Sequence, residues 1–165
     1  MGKIQDMDEM KRQGHDDPWF LPVSFYFKVE FQGDSGIGEV AFREVSGLSM
    51  ELELEGVKEG GANSYEINLP KKIKHGNLVL KRALLPASHP FIKWVNNAMD
   101  SNIAKPIIPC GIMVKLMLDD ETPLAAWSCA QAYPVKWSVE TFHAEKNEIA
   151  VESVELTYTT IRRDS

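Results

Sequence analysis

Hydrophobic and polar residues alternate along most of this chain, and the phase of the alternation predicts its elements. The clearest run sets Met50, Leu52 and Leu54 against Glu51, Glu53 and Glu55. A two-residue period sends successive side chains to opposite faces of a strand, so the apolar set is expected on a core and the glutamates in water or against a partner. Just before it, Phe42-Arg43-Glu44-Val45-Ser46-Gly47-Leu48 reads as strand and turn, and Gly60-Gly61 as the loop that follows. Residues 64–69 put Tyr65, Ile67 and Leu69 on one face and Glu66 and Asn68 on the other. They can return antiparallel to the glutamate strand, making a long hairpin that Pro70 closes.

The same period predicts the other strands. Phe25, Phe27, Val29 and Phe31 alternate with Ser24, Tyr26, Lys28 and Glu30 in a first core strand, and Leu78 and Leu80 face one way in Leu78-Val79-Leu80-Lys81-Arg82. Later strands are expected over 111–118, 124–132, 135–142 and 149–161, with Asp119-Asp120-Glu121-Thr122-Pro123, Tyr133-Pro134 and Ala144-Glu145-Lys146-Asn147-Glu148 between them. One segment changes period: Phe91, Trp94, Val95 and Ala98 follow helical spacing after Ser88, a favourable N-cap, with Pro90 in the first turn. Trp94 is expected to be a core anchor covering an open barrel end. The predicted fold class is mainly β, an antiparallel barrel or sandwich with one flanking helix and a long protruding hairpin. Residues 1–17, polar and without period, are expected to form a flexible or partner-docked arm on a domain spanning 18–165, with Pro18-Trp19-Phe20-Leu21-Pro22 as an extended clasp.

Composition narrows the function more than the fold. The 165 residues are 44% hydrophobic and 25% charged, the balance of a globular domain with a real core. A net charge of -6 removes the overall attraction to phosphate on which nucleic-acid binding depends. Lys71-Lys72-Ile73-Lys74-His75 and Arg162-Arg163 therefore read as solvated loop and tail charges. No window holds the roughly 18 consecutive apolar residues of a membrane span, and the acidic, polar N-terminus is unlike a signal peptide.

Little in the sequence points to chemistry. His15, His75, His89 and His143 are scattered without metal-ligand spacing, and Cys110 and Cys129 lie in apolar surroundings, expected as buried free thiols with a disulfide open if their strands pair. Gln32-Gly33-Asp34-Ser35-Gly36-Ile37-Gly38 is glycine-rich, but a strand follows it rather than a helix, and the lysine of a phosphate loop is missing. It reads as a hairpin turn. Asp119-Asp120 sits where turns favour Asp. No catalytic residue, metal or cofactor is expected.

Taken in order, Phe42-Arg43-Glu44-Val45-Ser46-Gly47-Leu48, the glutamate strand, Glu59-Gly60-Gly61, Leu69-Pro70, Leu78-Val79-Leu80-Lys81-Arg82 and the Trp94 helix resemble the phage tail tube family. That family includes the inner tube proteins of contractile phage tails and phage-tail-like contractile injection systems, and the resemblance covers roughly residues 20–160. It implies a structural subunit without enzymatic activity, forming hexameric rings that stack into a hollow tube within a sheath. Implied partners are other copies of the chain, sheath protein, baseplate or spike proteins, and payload or DNA in the lumen. The implied place is a phage virion or phage-tail-like particle assembled in the bacterial or host cytoplasm, with no membrane insertion by this chain. The subunit interface would draw on Glu51, Glu53, Glu55, Gly60, Gly61, Tyr65, Lys81 and Arg82, with the glutamates facing solvent, lumen or partner.

Ala83 replaces the glycine that often follows the family's Lys-Arg pair, and the N-terminal arm is long, which keeps a tube initiator at the baseplate in view. A different class, a monomeric barrel binding a small apolar ligand, would line its pocket with Phe25, Phe27, Trp127 and Trp137. Deleting residues 1–17 is expected to leave cooperative thermal unfolding intact and to affect assembly only; a broad, non-cooperative melt of the truncated chain would refute the separation of arm from domain.

Overall fold

The computed structural model describes residues 25–33, 35–58, 60–61, 66–100, 106–140 and 150–164. Its strands are β1 (Phe25–Phe31), β2 (Gly38–Phe42), β3 (Glu44–Ser46), β4 (Glu51–Val57), β5 (Ile67–Lys74), β6 (Leu78–Ala83), β7 (Cys110–Leu118), β8 (Pro123–Val139), β9 (Val151–Thr157) and β10 (Thr160–Arg163). Helix α1 (Pro90–Met99) lies between β6 and β7. The mainly β class is as the alternation predicts.

Eight strands form one antiparallel sheet in the order β2-β1-β7-β8-β9-β6-β3, with β10 also on β8. The two ends of that order are one piece of chain, because Arg43 alone separates β2 from β3. β2 pairs with β1 from Phe27↔Phe42 to Phe31↔Gly38, while β3 pairs with β6 from Glu44↔Lys81 to Ser46↔Val79. At the bend the Arg43 N–H donates to the Lys81 carbonyl at 2.9 Å. The bent strand thus closes the sheet into a barrel, which removes the open edges of a flat sheet.

Inside lie Val29, Phe42, Leu78, Leu80, Ile112, Val114, Val154 and Leu156, all at most 2% exposed. Their positions follow the two-residue phase, these residues recurring at every second position of β1, β2, β6, β7 and β9. Phe91 of α1 joins them with no exposed surface, its ring centroid 5.4 Å from Phe31 and 5.5 Å from Phe42. Burying a side chain of that kind contributes roughly 1.5–3 kcal/mol.

Several boundaries depart from the sequence reading. The helix is capped by His89 rather than Ser88, the His89 Nδ1 accepting from the Phe91 N–H at 3.2 Å. Trp94 is a rim residue, partly buried against Phe31, with its indole N–H donating to the Ile108 carbonyl at 3.1 Å; the deep anchor is Phe91. Tyr133-Pro134 does not split a strand. β8 runs through it, because an extended strand suits the fixed φ of proline and a register shift between Pro134 and Lys136 absorbs the missing donor. The bend falls instead at Gln131, whose φ is 52°, facing the point where Tyr158 and Thr159 break the expected last strand into β9 and β10. Pro70 likewise does not close the hairpin, since β5 continues to Lys74, and the basic run from Lys71 to Lys74 is strand, not loop.

The two cysteines are buried and free, and burial pushes both thiols up to about 11. Tyr158 is raised to about 12, chiefly by burial and then by Cys129. A group whose folded pKa is raised supports the fold below its ordinary pKa and loses that support as pH climbs through the folded value. Unfolding free energy from urea titrations should therefore fall as pH rises past about 9 toward 11, with thiol reagents slow on the native chain at pH 8 and fast once it unfolds. In the same assay Phe91→Ala should cost about 3–5 kcal/mol and Trp94→Ala clearly less; a larger loss for Trp94 would reverse the assignment of anchor and rim.

Candidate functional site

Between β3 and β6 the chain leaves the barrel and returns as β4 and β5, a two-stranded antiparallel sheet that neither strand extends beyond the other. The pairing runs from Glu51↔Lys74 to Val57↔Ile67 with a register shift between Glu53 and Leu54. Residues opposed across such a ladder share a face. Leu52 with Ile73 and Leu54 with Pro70 make one face near the barrel, and Glu51 with Lys74 and Glu53 with Lys72 make the other. Beyond the shift the glutamate face turns apolar, carrying Glu55 with Leu69 and Val57 with Ile67. The hairpin is apolar on one side at its base and on the other toward its tip.

The expectation that Met50, Leu52 and Leu54 lie on a core is overturned within the chain. They are 59%, 52% and 53% exposed, and Ile73 reaches 64%. The reason is topological: the hairpin is an insertion outside the closed barrel, so its alternation has no core of its own to face. Glu53 accepts ion pairs from Lys74 at 3.2 Å and Lys72 at 3.9 Å, which are worth little each because both lysines are more than half exposed. Glu51 and Glu55 are exposed on the same face.

The hairpin is held firmly where it leaves the barrel. His75, just after β5, stacks on Tyr158 with centroids 4.2 Å apart and planes 16° apart, and its Nε2 lies 3.2 Å from the Thr159 carbonyl. The Tyr158 hydroxyl donates to the Gly47 carbonyl at 3.4 Å, and the Asn77 amide donates to Glu155 at 2.7 Å. Gly47 has φ 86°, and a Cβ there would strike the Asn77 carbonyl oxygen. Two constraints therefore demand glycine: left-handed backbone and close approach of the two legs of the hairpin.

The profile of the T4-like virus tail tube protein gp19 family matches residues 23–162. The chain belongs to this tail tube family. No curated protein matches it in sequence. Among solved structures, a chain of the anti-feeding prophage baseplate is 25% identical, with a TM-score of 0.70 over 90% of this chain and 96% of that one. A chain of the PVC sheath-tube complex, from an extracellular contractile injection system in the extended state, is 23% identical at a TM-score of 0.74, covering 93% of this chain and 97% of that one. A chain from the same system's sheath/tube terminator is 23% identical at 0.70, covering 88% and 96%. These last two likenesses are of fold.

Of the remaining interface candidates on this tail tube protein, Gly60 and Gly61 lie at the hairpin turn with open space around both, and Gly61 takes φ 116°. Tyr65 lies outside the described residues. Lys81 and Arg82 sit on the barrel rather than the hairpin. Lys81 pairs with Glu44 at 3.5 Å and Glu140 at 3.7 Å. Arg82 donates to the Ala41 and Ala83 carbonyls at 3.0 and 3.1 Å and lies over the Phe42 ring at 5.7 Å. Desolvation lowers its pKa, partly opposed by the charge of Glu152.

Glu152 is the residue the sequence reading missed. It is 2% exposed and accepts from the Trp137 indole N–H at 2.6 Å, although that ring is itself 47% exposed. The signal was present, since Glu152 is in phase with buried Val154 and Leu156. The aromatic quartet named for a ligand pocket does not converge: Phe25 and Phe27 contact each other, Trp127 lies under Arg163, and Trp137 is tied to Glu152. Among the described residues no group of three or more His, Cys, Asp or Glu is placed to hold a metal, and no helix is long and apolar enough to cross a membrane.

Gly47→Ala is expected to disturb the hairpin's attachment while leaving the barrel folded. Limited proteolysis should then cut near residues 47–50 at least about tenfold faster, with the far-ultraviolet spectrum kept; unchanged proteolysis would show that the Asn77 approach is easily relaxed.

Proposed function

We propose that the chain is a subunit of the inner tube of a phage tail or contractile injection system, assembling into hexameric rings that stack into a hollow tube inside a sheath. The observation that carries this reading is the β4–β5 hairpin. A two-stranded sheet standing alone is marginal in water, and this one exposes large apolar side chains on both of its faces. Contact with neighbouring subunits covers them, as expected where a patch of this kind marks an interaction site. Family membership over residues 23–162 supports the tube role, and the six-fold symmetry of the anti-feeding prophage baseplate supports a ring of six. The sheath-tube complex that holds one chain of the same fold supports sheath protein as a partner.

A second reading, a tube initiator seated on the baseplate, is favoured by the same baseplate chain. The two readings predict different growth of the purified chain: long tubes for a main tube subunit, rings alone for an initiator.

Electron microscopy of the purified chain over a range of concentrations tests the proposal, with six-fold rings or tubes expected. Leu52→Ser, Leu54→Ser and Ile73→Ser combined should abolish rings yet shift the unfolding midpoint little, since all three side chains are more than half exposed. A monodisperse monomer of the natural chain at high concentration would overturn the proposal.

A further inference from the structure

We infer that a groove beside α1 receives the segment Pro18-Trp19-Phe20-Leu21-Pro22 of a second copy of the chain. This rests on the tube-subunit reading and gives the residues before β1 a place in the assembly.

The groove is made of two adjoining hollows. One, of about 630 Å³, lies between α1, the turn that follows β1 at Gln32 and Gly33, and residues 108–111. The other, of about 350 Å³, continues along α1 to Pro106 and Ile107. Hollows of roughly 300–1,000 Å³ hold a ligand the size of a few side chains. Trp94, Asn97 and Ile108 border both, so the two form one track. The track is apolar where they meet. The Trp94 indole N–H is spent on the Ile108 carbonyl at 3.1 Å, which leaves the ring without an unmet donor, and Ile107 and Ile108 are 45% and 70% exposed. Apolar surface gathered in this way on the outside of a barrel marks an interaction site.

The chain itself carries a segment of matching chemistry. Residues 18–22 set a tryptophan, a phenylalanine and a leucine between two prolines. Proline fixes its own φ and holds the residue before it extended, so the segment gives up little conformational freedom on docking. Grooves lined by aromatic residues are a recurring receptor for extended, proline-bearing peptides. Polar groups agree with the apolar ones. The Asn97 side-chain amide has no hydrogen-bond partner among the described residues, and an amide offers a passing extended backbone both a donor and an acceptor. Lys93 borders the larger hollow, makes no ion pair among the described residues, and suits Asp16 and Asp17 at the head of the segment. That charge match fixes the direction of docking, with Trp19 in the larger hollow and Leu21 in the smaller.

Chain length makes the donor a second copy. β1 begins at Phe25, opposite Leu118, whereas Gln32 of the larger hollow lies past the other end of the strand. From Phe25 to Gln32 is about 23 Å of strand at roughly 3.3 Å per residue. From Phe25 back to Trp19 the chain spans at most about 22 Å, and to Pro22 about 11 Å. A segment so short cannot lay Trp19 beside Gln32 of its own subunit and carry Leu21 onward along α1. The segment and the groove thus stand at opposite ends of β1, and a contact between them is head-to-tail, the kind that closes rings or extends stacks.

The test mixes two full-length single variants, Asp16→Cys and Lys93→Cys, and treats them with a short bis-maleimide under conditions where microscopy shows rings or tubes. The native thiols are buried, at 7% and 2% exposure. A covalent dimer is expected from the mixture and from neither variant alone. Assemblies without that dimer, a link formed only within one chain when both cysteines are on it, or a dimer given equally by Asp16→Cys with Glu121→Cys would overturn this inference and leave the tube reading standing; absence of rings and tubes would overturn the tube reading itself. Ile108→Asp, at a side chain 70% exposed, should raise the concentration needed for assembly at least about tenfold with the unfolding midpoint nearly kept, and an unchanged threshold would overturn the groove as the receiving surface.

Discussion

Closure of the barrel depends on one bend. Because β2 and β3 are a single strand turned at Arg43, the chain contributes both ends of the sheet from adjacent residues, and the Arg43–Lys81 backbone bond fixes the junction. Everything else follows from that corner. The interior filled by Phe42, Leu80 and Val154 exists only when β6 reaches β3, and Phe91 can seat against Phe31 and Phe42 only when β1 and β2 are held together. The hairpin begins a few residues past the same corner, so its position on the barrel is set by the closure as well.

Much of this was readable in the alternation, because a half-buried strand must repeat every two residues whatever its neighbours are. β1, β6 and β7 emerged with nearly correct bounds for that reason. What alternation cannot report is what lies on the far side of a face. Met50, Leu52 and Leu54 have the phase of core residues and no core within their own chain, and the difference is decided by topology rather than by the local pattern. The long β8 was misread for a related reason: Tyr133-Pro134 has the composition of a turn, but an extended proline beside a register shift costs the ladder one donor and no more.

The site was less legible than the fold. Glycines and glutamates of the hairpin stood out, yet its attachment depends on His75, Tyr158 and Asn77, which come from distant parts of the chain and meet only after closure. Lys81 and Arg82, attractive as a basic pair, are engaged with barrel carboxylates and carbonyls. Glu152 and Trp137 show the reverse case, a polar residue hidden in an apolar phase and an aromatic one left outside.

The stacked His75 and Tyr158 give the hairpin a mechanical character. Tyr158 is buried at the corner between β9 and β10, and both legs of the hairpin are tied to it or to the strand beside it. A pull on the hairpin is therefore not taken up by a loose loop but passes through the aromatic stack into the barrel wall, where it is spread over the ladders of β8 and β9. In a joint of this kind the protruding arm and the rigid body share load at a single braced point.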